Sequence, residues 1–448
     1  MELRVLLPYV ALCVVNAGEA VEVLSAGYIL AQVTSDPHVQ SAVAASVFLG
    51  MLFGGLASGV ASDHLGRVLM LRLATSLAAL GMIGVAVSGN LVTLLFCRWL
   101  SGLGVGAATP PMFAIVPDMT RPRWAGLAVV SISCFWMVGS LYTALVALLV
   151  LPAAPAVSGQ QPNWGVDAPW RVFAAICGAV PLTATLLVTL FVSEPPNEVR
   201  LLVSTPTLDS PPPVGSRVRA ATTDLPASIA ECAGGWPPGS RIGAIVTATA
   251  GTVEGLIAVR SALMPLLVCW WGLNFAYYGL STWIAVVVER LTLGNTYLIT
   301  LMYQLASLPA NMLAIFLVVQ PTFTLWRRKC LLVLGMSSSA ACAFGLSALS
   351  SANAEARDKS AIIGLALLSQ MGSAAGWAML DCISTESFDS SVRGAAIGLL
   401  GATGRIASIS AQLINGALIS HTPLLFSVMG AFMAAGCLGA IALRPHER

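Results

Sequence analysis

The sequence predicts an all-α membrane protein whose twelve transmembrane helices form two pseudo-symmetric six-helix bundles. Three observations support this fold class: a low content of charge, a series of long apolar runs, and a loop pattern that recurs in both halves. Only 9% of the 448 residues are charged, 57% are apolar, and the mean hydropathy is +0.85. Soluble domains carry about 25% charged residues. With so few charges, most helices must face lipid or one another.

Twelve apolar runs are each long enough to cross a hydrocarbon core of about 30 Å. The runs of the first half are 5–32, 41–61, 68–88, 91–115, 126–152 and 171–192. Those of the second half are 263–288, 297–320, 330–350, 360–383, 394–420 and 422–443. The first run is too long for the apolar region of a cleavable signal peptide, so we expect it to remain as span one.

The segment 194–262 separates the two groups of spans and is rich in Pro, Ser and Thr. This composition predicts a polar, partly disordered linker between a first half, 1–193, and a second half, 263–448. Within the linker, the stretch 242–258 is fairly apolar and Glu254 is its only charged residue. We interpret it as an interfacial helix, with a thirteenth span as the alternative.

The basic residues predict the orientation. With the N-terminus inside, the inner segments contain sixteen Lys and Arg residues and the outer segments contain four. Membrane proteins concentrate Lys and Arg in their cytoplasmic loops. We therefore expect both termini and the linker to be cytosolic, in a plasma or organellar membrane.

A charged pattern recurs at corresponding places in the two halves. Asp118 follows the fourth run, and Gly126 comes eight residues later. Glu386 follows the tenth run, and Gly394 comes eight residues later. Two similar halves suit alternating access, in which one half rocks against the other around a central site.

The loop after span two resembles a family signature. Residues 59–67 read Gly-Val-Ala-Ser-Asp-His-Leu-Gly-Arg, which resembles the signature loop of the major facilitator superfamily. Two positions depart from it, because His64 stands in place of an arginine and Val68 in place of a basic residue.

Further fragments resemble particular branches of that superfamily. The pattern Arg98-x-x-x-Gly102-x-Gly104-x-Gly106 in span four resembles the sugar and organic-ion branches. The stretches 19–23 in span one and 274–279 in span seven are similar to the synaptic-vesicle-glycoprotein and organic-ion branch. The Gln-Leu-Ser signature of sugar porters is missing from span seven, which argues against a standard hexose porter.

The charged candidates inside the spans are Glu19, Glu22, Arg98, Asp381 and Arg405. A charge at the bilayer centre costs about 3 kcal/mol or more, so each is a functional candidate. Asp381, near the inner end of span ten, is close enough to that end to reach the interface.

Glu19 and Glu22 are three residues apart and therefore neighbours on one helix face. Two close carboxylates in a low dielectric cannot easily both be ionised, so one can bind and release a proton. We hypothesise that Glu19 is the proton-coupling or cation-binding group, with Arg98 as its counter-charge, as the resemblance implies for spans one and four. Glu22 is expected to share the proton, to bind a cationic substrate group, or to pair elsewhere. The alternative is a fixed ion pair that only locks the helices together.

Polar and aromatic residues within the spans are candidate contacts for a small-molecule substrate. They are Asn274, Tyr277, Tyr278, Gln304 and Trp377. The resemblance also implies an inner gate of charged and glycine residues at the cytosolic ends of the spans, in which Arg405 pairs with Glu386. Its members are Asp63, Gly66, Arg67, Asp118, Glu386, Arg393 and Arg405.

The resemblance implies a secondary transporter of a small organic solute that works by alternating access and is coupled to protons. The alternatives are a facilitator without ion coupling and a transporter-like sensor that binds a ligand without moving it. No phosphate-binding loop, metal-ligand set or nucleophile–base set is recognisable, so we expect no enzyme activity, cofactor or metal. The predicted partners are the substrate, protons and the lipid bilayer, with no nucleic acid, and the chain is predicted to be a monomer.

Overall fold

A computed structural model describes residues 3–119, 125–152, 164–165, 167–193, 254–320, 323–352, 358–388 and 390–443. The helices of the first half are Leu3–Val33, Pro37–Leu65, Arg67–Val87, Leu91–Met119, Ala125–Val150 and Pro169–Phe191. Those of the second half are Arg260–Arg290, Thr296–Leu305, Ser307–Val319, Leu325–Ser350, Lys359–Glu386, Ser390–Leu418 and Thr422–Ala442. Twelve spans long and apolar enough to cross a membrane are found in this part of the chain, as the sequence predicts. The linker lies mostly outside the described residues.

The helices extend beyond the apolar runs at several ends. The apolar run of span nine begins at 330, but the helix begins earlier, at Leu325. Its first turns include the basic residues Arg327, Arg328 and Lys329. Span eight is broken at Ala306 into two helices. Pro309 lies one turn after this break, and it has no N–H to donate to the carbonyl of Leu305.

The packing within each half repeats with an offset of six spans. In the first half, span three packs on spans four and six, and span one packs on spans five and six. In the second half, span nine packs on spans ten and twelve, and span seven packs on spans eleven and twelve. The contacts between the halves obey the same symmetry, since span two meets span eleven, span five meets span eight, and span one meets span seven. The structure is therefore two pseudo-symmetric bundles, as predicted.

The two halves come together closely at the ends of the spans opposite the linker. There the side-chain amide of Gln32 donates to the Tyr297 hydroxyl at 2.8 Å. At Gly27, an added Cβ would lie 2.2 Å from the Thr282 carbonyl oxygen. At Gly416, an added Cβ would lie 1.6 Å from the Ser41 hydroxyl. Backbone of one half thus lies directly against the other half at this end.

Small residues of span two allow a close approach to span four. A Cβ at Gly50 would lie 2.1 Å from the Trp99 carbonyl oxygen, and one at Gly54 would lie 2.1 Å from the Leu103 carbonyl oxygen. By contrast, no atom of the described chain lies within 4 Å of a Cβ added at Gly59. The same holds at Gly394, Gly398 and Gly401 of span eleven. Glycines spaced four residues apart therefore mark close helix packing at Gly50 and Gly54, but not at Gly59 or at these three positions of span eleven.

This difference allows a test within a single helix. We expect Gly50→Ala to destabilise the protein by about 1–3 kcal/mol, because overpacking forces backbone to shift. The matched variant Gly59→Ala introduces the same methyl group in open space and is expected to leave the melting temperature unchanged. Thermal unfolding in detergent, followed by size-exclusion chromatography, measures both. Equal melting temperatures for the two variants would contradict the packing of spans two and four.

Candidate transport site

An ion pair joins the two halves midway along the spans. Arg405 of span eleven donates from Nη2 to Oε1 of Glu19 in span one at 2.9 Å. The hydroxyl of Thr109 in span four donates to the other carboxylate oxygen of Glu19 at 3.3 Å. Both partners of the ion pair are largely buried, with 18% of the Arg405 side chain and 9% of the Glu19 side chain exposed. The half-buried carboxylate of Asp381 in span ten lies within electrostatic range of Glu19.

The expected pairing of Glu19 with Arg98 is therefore wrong. Arg98 instead lies 3.9 Å from a carboxylate oxygen of Glu22, and neither side chain has any exposed surface. The reason is the geometry of span one. Glu19 and Glu22 are separated by about 60° around the helix and by about 4.5 Å along it, so the two acids reach different neighbours at different depths.

The second acid–arginine pair lies entirely within the first half. Arg98 donates from Nη2 to the Glu22 carbonyl at 2.9 Å and from Nη1 to the Ser25 hydroxyl at 3.1 Å. Within the described residues, neither carboxylate oxygen of Glu22 has a hydrogen-bond partner. The charges of Glu22 and Arg98 thus attract each other without a direct side-chain hydrogen bond.

Aromatic rings from both halves form a cluster beside Arg405. The ring centroids of Tyr277 and Tyr278 in span seven are 5.2 Å apart. Each lies 6.0 Å from the ring centroid of Trp377 in span ten, and all three contacts are edge-to-face. From the first half, Trp136 of span five donates from its indole N–H to the Tyr277 hydroxyl at 3.1 Å. The guanidinium carbon of Arg405 is 5.7 Å from the centroid of the Tyr278 ring. Three of the predicted substrate contacts therefore lie together and next to the inter-half ion pair.

Polar groups with unmet hydrogen-bonding capacity border the aromatic cluster. Gln370 of span ten donates to the side-chain oxygen of Gln304 in span eight at 3.3 Å. Among the described residues, the side-chain nitrogen of Gln304, the side-chain oxygen of Gln370, the indole N–H of Trp377 and Nη1 of Arg405 are buried without a hydrogen-bond partner. Buried polar groups are nearly always hydrogen-bonded, so each of these four atoms needs an explanation, of which a bound water or solute is one.

Asn274 does not join this cluster. Its amide donates to the Trp270 carbonyl at 2.7 Å, and its oxygen accepts from the Ser408 hydroxyl at 3.4 Å. A Cβ at Gly404 would lie 2.6 Å from the Asn274 amide nitrogen. Asn274 therefore contributes to packing between spans seven and eleven, one turn before Tyr278.

In the second half, Arg405 lies apart from the other described residues of the predicted inner gate. Glu386 forms an ion pair with Arg328 of span nine, so its predicted pairing with Arg405 is wrong. Fifteen residues of span eleven separate Ser390, where the helix begins, from Arg405, which places Arg405 about 22 Å along the span. Arg393 donates to the Phe388 carbonyl at 3.2 Å.

In the first half, Arg67 donates to the Ala114 carbonyl of span four at 3.2 Å. Gly66 has a φ of 90° between spans two and three, a backbone conformation that favours glycine. The side chains of Asp63 and Asp118 are outside the described part of the structure.

A small cavity of about 20 Å³ lies beside Glu19 inside the first half. This volume is enough for about one water molecule. Its lining comes from spans one, three, four and six and includes Gly18, Thr75, Thr109 and Pro181. The Glu19 carboxylate therefore lies between this cavity on one side and Arg405 on the other.

Sequence reasoning did not identify Trp136, Gln370 or Thr109 as members of the site. Trp136 and Gln370 occur in apolar runs without a matching motif, and Thr109 is an ordinary polar residue of a transmembrane helix. Their polarity is the feature that could have identified them, since a polar side chain in a span needs a partner inside the membrane.

The fold and the paired charges between two helical bundles define a membrane transporter. The family model described as Major Facilitator Superfamily matches residues 10–356. The chain therefore belongs to the major facilitator superfamily, which is a superfamily of transporters rather than enzymes.

Relatives in two branches confirm the predicted part of the superfamily. The chain is 33% identical to human synaptic vesicle glycoprotein 2B over 153 residues, which is 34% of this chain but only 22% of that relative. It is 24% identical to the niacin transporter NiaP of Acinetobacter baylyi over 423 residues, covering 91% of this chain and 86% of that relative.

Solved structures confirm the fold. The xylose transporter XylE of E. coli, in a partially occluded inward open conformation, matches with a TM-score of 0.70 and 14% identity. The match covers 99% of this chain and 100% of XylE. The D-xylose-proton symporter matches with a TM-score of 0.69 and 18% identity over 98% of this chain.

The buried pair within the first half makes a stability prediction. Glu22→Gln removes the counter-charge of Arg98, which remains protonated in any environment, and such a change costs about 3–5 kcal/mol. The double variant Glu22→Gln/Arg98→Met removes both charges and is expected to recover part of that loss. Thermal unfolding in detergent measures both variants. A double variant less stable than Glu22→Gln would show that the unpaired charge of Arg98 is not the cause of the lost stability.

Proposed function

We propose that the protein is a proton-coupled secondary transporter that moves a small organic solute by alternating access. The observation that carries this proposal is the Glu19–Arg405 ion pair, because it connects span one of one half to span eleven of the other at 2.9 Å. A group that binds a proton at this position changes the electrostatic attraction between the two halves, which move relative to each other in alternating access. Protonation is thereby linked to the equilibrium between conformations.

Glu19 is the proposed proton-coupling group. When its carboxylate takes up a proton, the charge attraction to Arg405 is lost and the two halves are less firmly held together. When it loses the proton, the pair forms again. Glu22 and Arg98 form a second candidate proton site, since their charges are 3.9 Å apart and completely buried.

The solute is proposed to bind among Tyr277, Tyr278, Trp377 and Gln304, where rings and unpartnered polar groups lie beside the ion pair. Ligand sites are mostly apolar with a few placed polar groups, as this cluster is. The names of the relatives and neighbours suggest niacin, xylose and protons as solutes of those proteins. A sugar and a carboxylate are therefore candidates here, and the acidic pair of span one makes an organic cation a third.

The inner gate is proposed to consist of ion pairs at the ends of the spans nearest the linker, which we take to be the cytosolic side. Arg328 and Glu386 form the pair in the second half. Asp63, Arg67, Asp118 and Arg393 are proposed to change partners as the halves move. The alternatives remain a facilitator without ion coupling and a ligand sensor without flux.

Uptake by proteoliposomes tests the coupling. With labelled xylose, tetraethylammonium and nicotinate as probes, we expect an inward proton gradient to stimulate uptake of at least one probe several-fold. Glu19→Gln should remove this stimulation, because glutamine cannot bind and release the proton. Glu22→Gln tests the second candidate site in parallel, with protein that size-exclusion chromatography shows to be folded.

The opposite results are equally informative. Uptake that does not depend on the proton gradient would indicate a facilitator. Probe binding without uptake would indicate a ligand sensor. Loss of stimulation in Glu22→Gln but not in Glu19→Gln would move the coupling site to the Glu22–Arg98 pair.

A further inference from the structure

The cavity beside Glu19 belongs to the first half alone. Its lining comes from spans one, three, four and six, and the described residues that form it are apolar or carry a hydroxyl, apart from Glu19 itself. Arg405 and the aromatic cluster contact Glu19 or its surroundings from the second half and are not part of this lining. The Glu19 carboxylate is therefore reached from two separate sides.

The two oxygens of the Glu19 carboxylate have different neighbours. Oε1 accepts from the Arg405 guanidinium at 2.9 Å, whereas Oε2 accepts from the Thr109 hydroxyl at 3.3 Å. Thr109 lines the cavity. A hydrogen bond between a guanidinium and a carboxylate is about twice as strong as one between neutral groups. Oε2 is therefore the oxygen that takes up a proton more readily, and it lies on the cavity side.

The size and the polar groups of the cavity fit one water molecule. The volume is about 20 Å³, and a buried water needs about 10–15 Å³ together with two to four polar partners. The Glu19 carboxylate and the hydroxyls of Thr75 and Thr109 are the polar side-chain groups of the described lining. The Thr75 hydroxyl donates to the Leu71 carbonyl at 3.0 Å, so its oxygen is left to accept from a water.

The cavity lies toward the ends of the spans nearest the linker. Thr75 is eight residues from Arg67, where span three begins, and Ala184 is seven residues from Phe191, where span six ends. At 1.5 Å per residue these distances are about 12 and 10 Å. The opposite ends of the same two helices, Val87 and Pro169, are twelve and fifteen residues away. The shorter way from the cavity to an aqueous surface therefore leads to the linker side.

The charged and titratable groups differ between the two sides of Glu19. From the second half, Glu19 is faced by Arg405, Asp381 and Tyr278. A proton on that side approaches the positive charge of Arg405 and meets a second carboxylate that competes for it. On the cavity side, spans three, four and six contribute no charged residue to the described lining. Arg98 of span four is paired with Glu22, one turn further along span one.

We propose that this cavity binds a water molecule that exchanges the coupling proton with Oε2 of Glu19 and passes it to the linker side, apart from the path of the solute. This inference rests on the proposed function and adds to it a separate route for the proton. In each exchange, a hydronium ion gives one proton to the carboxylate and becomes water, or the carboxyl group gives one proton to the water.

Gly18→Ala tests whether the cavity is hydrated. Gly18 lines the cavity, and a Cβ added there has no neighbour closer than 3.9 Å, so the methyl group fits without strain and takes the place of the water. The matched control is Gly364→Ala in span ten, where no described atom lies within 4 Å of the added Cβ. Loss of the hydrogen bonds between the water and Glu19 should lower the melting temperature of Gly18→Ala in detergent by about 2–5 °C relative to the control. A melting temperature equal to or above that of the control would show a dry cavity and overturn the inference.

Infrared difference spectra between alkaline and acidic buffer observe the protonated carboxyl group directly. The C=O band that is missing in Glu19→Gln belongs to Glu19. A carboxyl group that is hydrogen-bonded to water absorbs at a lower frequency than one that is not. Gly18→Ala should therefore shift the Glu19 band to higher frequency, and Gly364→Ala should leave it in place. An unshifted band in Gly18→Ala would contradict contact between the water and Glu19.

Transport by proteoliposomes containing the complete chain tests the proton route, with labelled xylose, tetraethylammonium and nicotinate as probes. Gly18→Ala should slow gradient-driven uptake about tenfold, because proton transfer needs a group or one water within hydrogen-bond reach. Exchange of the same probe at equal pH on both sides requires no loss of the proton and should be unchanged. Thr75→Val removes one partner of the water and should act in the same direction more weakly. Its matched control is Thr189→Val, whose exposed hydroxyl donates to the carbonyl of Thr185 in its own helix.

The failure of this inference and that of the proposed function give different results. A dry cavity, with gradient-driven uptake that Gly18→Ala does not slow, would overturn the inference and leave the proposed function standing. A hydrated cavity in a chain that shows no gradient-driven uptake of any probe would overturn the proposed function and the proton route with it. Equal slowing of driven uptake and exchange would show that Gly18→Ala impairs the conformational change, and would also overturn the proton route.

Discussion

The absence of water in the hydrocarbon core is the constraint on which the rest of this structure depends, because every charge placed there needs a partner. The protein meets this constraint with two acid–arginine pairs. Glu22 and Arg98 pair within the first half and are completely buried. Glu19 and Arg405 pair across the two halves. The first pair therefore lies within one half, whereas the second crosses the boundary between the halves.

The symmetry of the helices contrasts with the asymmetry of the site. Spans two and eleven and spans five and eight form corresponding contacts between the halves, so the scaffold itself is close to symmetric. The chemistry is divided between them. Span one provides the acids, whereas spans seven and ten provide Tyr277, Tyr278 and Trp377. Under the proposed function, a solute bound to the second half would lie next to Glu19 of the first half, so that movement of either half would affect both.

Hydropathy was sufficient to predict the twelve spans and their grouping, because span length and apolar composition are set by the bilayer itself. It was not sufficient to predict partners. The pairing of Glu19 depends on the rotation of span one and on the depth of Arg405 in span eleven, and these follow from packing between halves that are distant in sequence. Likewise, Tyr277 and Trp377 were recognisable as aromatic residues in spans. The contact of Tyr277 with Trp136 of the other half depends on tertiary packing that the sequence pattern does not show.

The energetics indicate how a proton on Glu19 would shift the equilibrium between conformations under the proposed function. Leaving one member of a buried ion pair unpaired costs about 3–5 kcal/mol, and reversing a 1:99 equilibrium requires about 5.5 kcal/mol. A proton on Glu19 would leave the buried Arg405 without its carboxylate partner, so its cost would differ between arrangements in which the two residues are in contact and arrangements in which they are apart. That difference would be of the same order as the free energy that reverses such an equilibrium. The Glu22–Arg98 pair, which lies within one half, would contribute no such difference when the halves move.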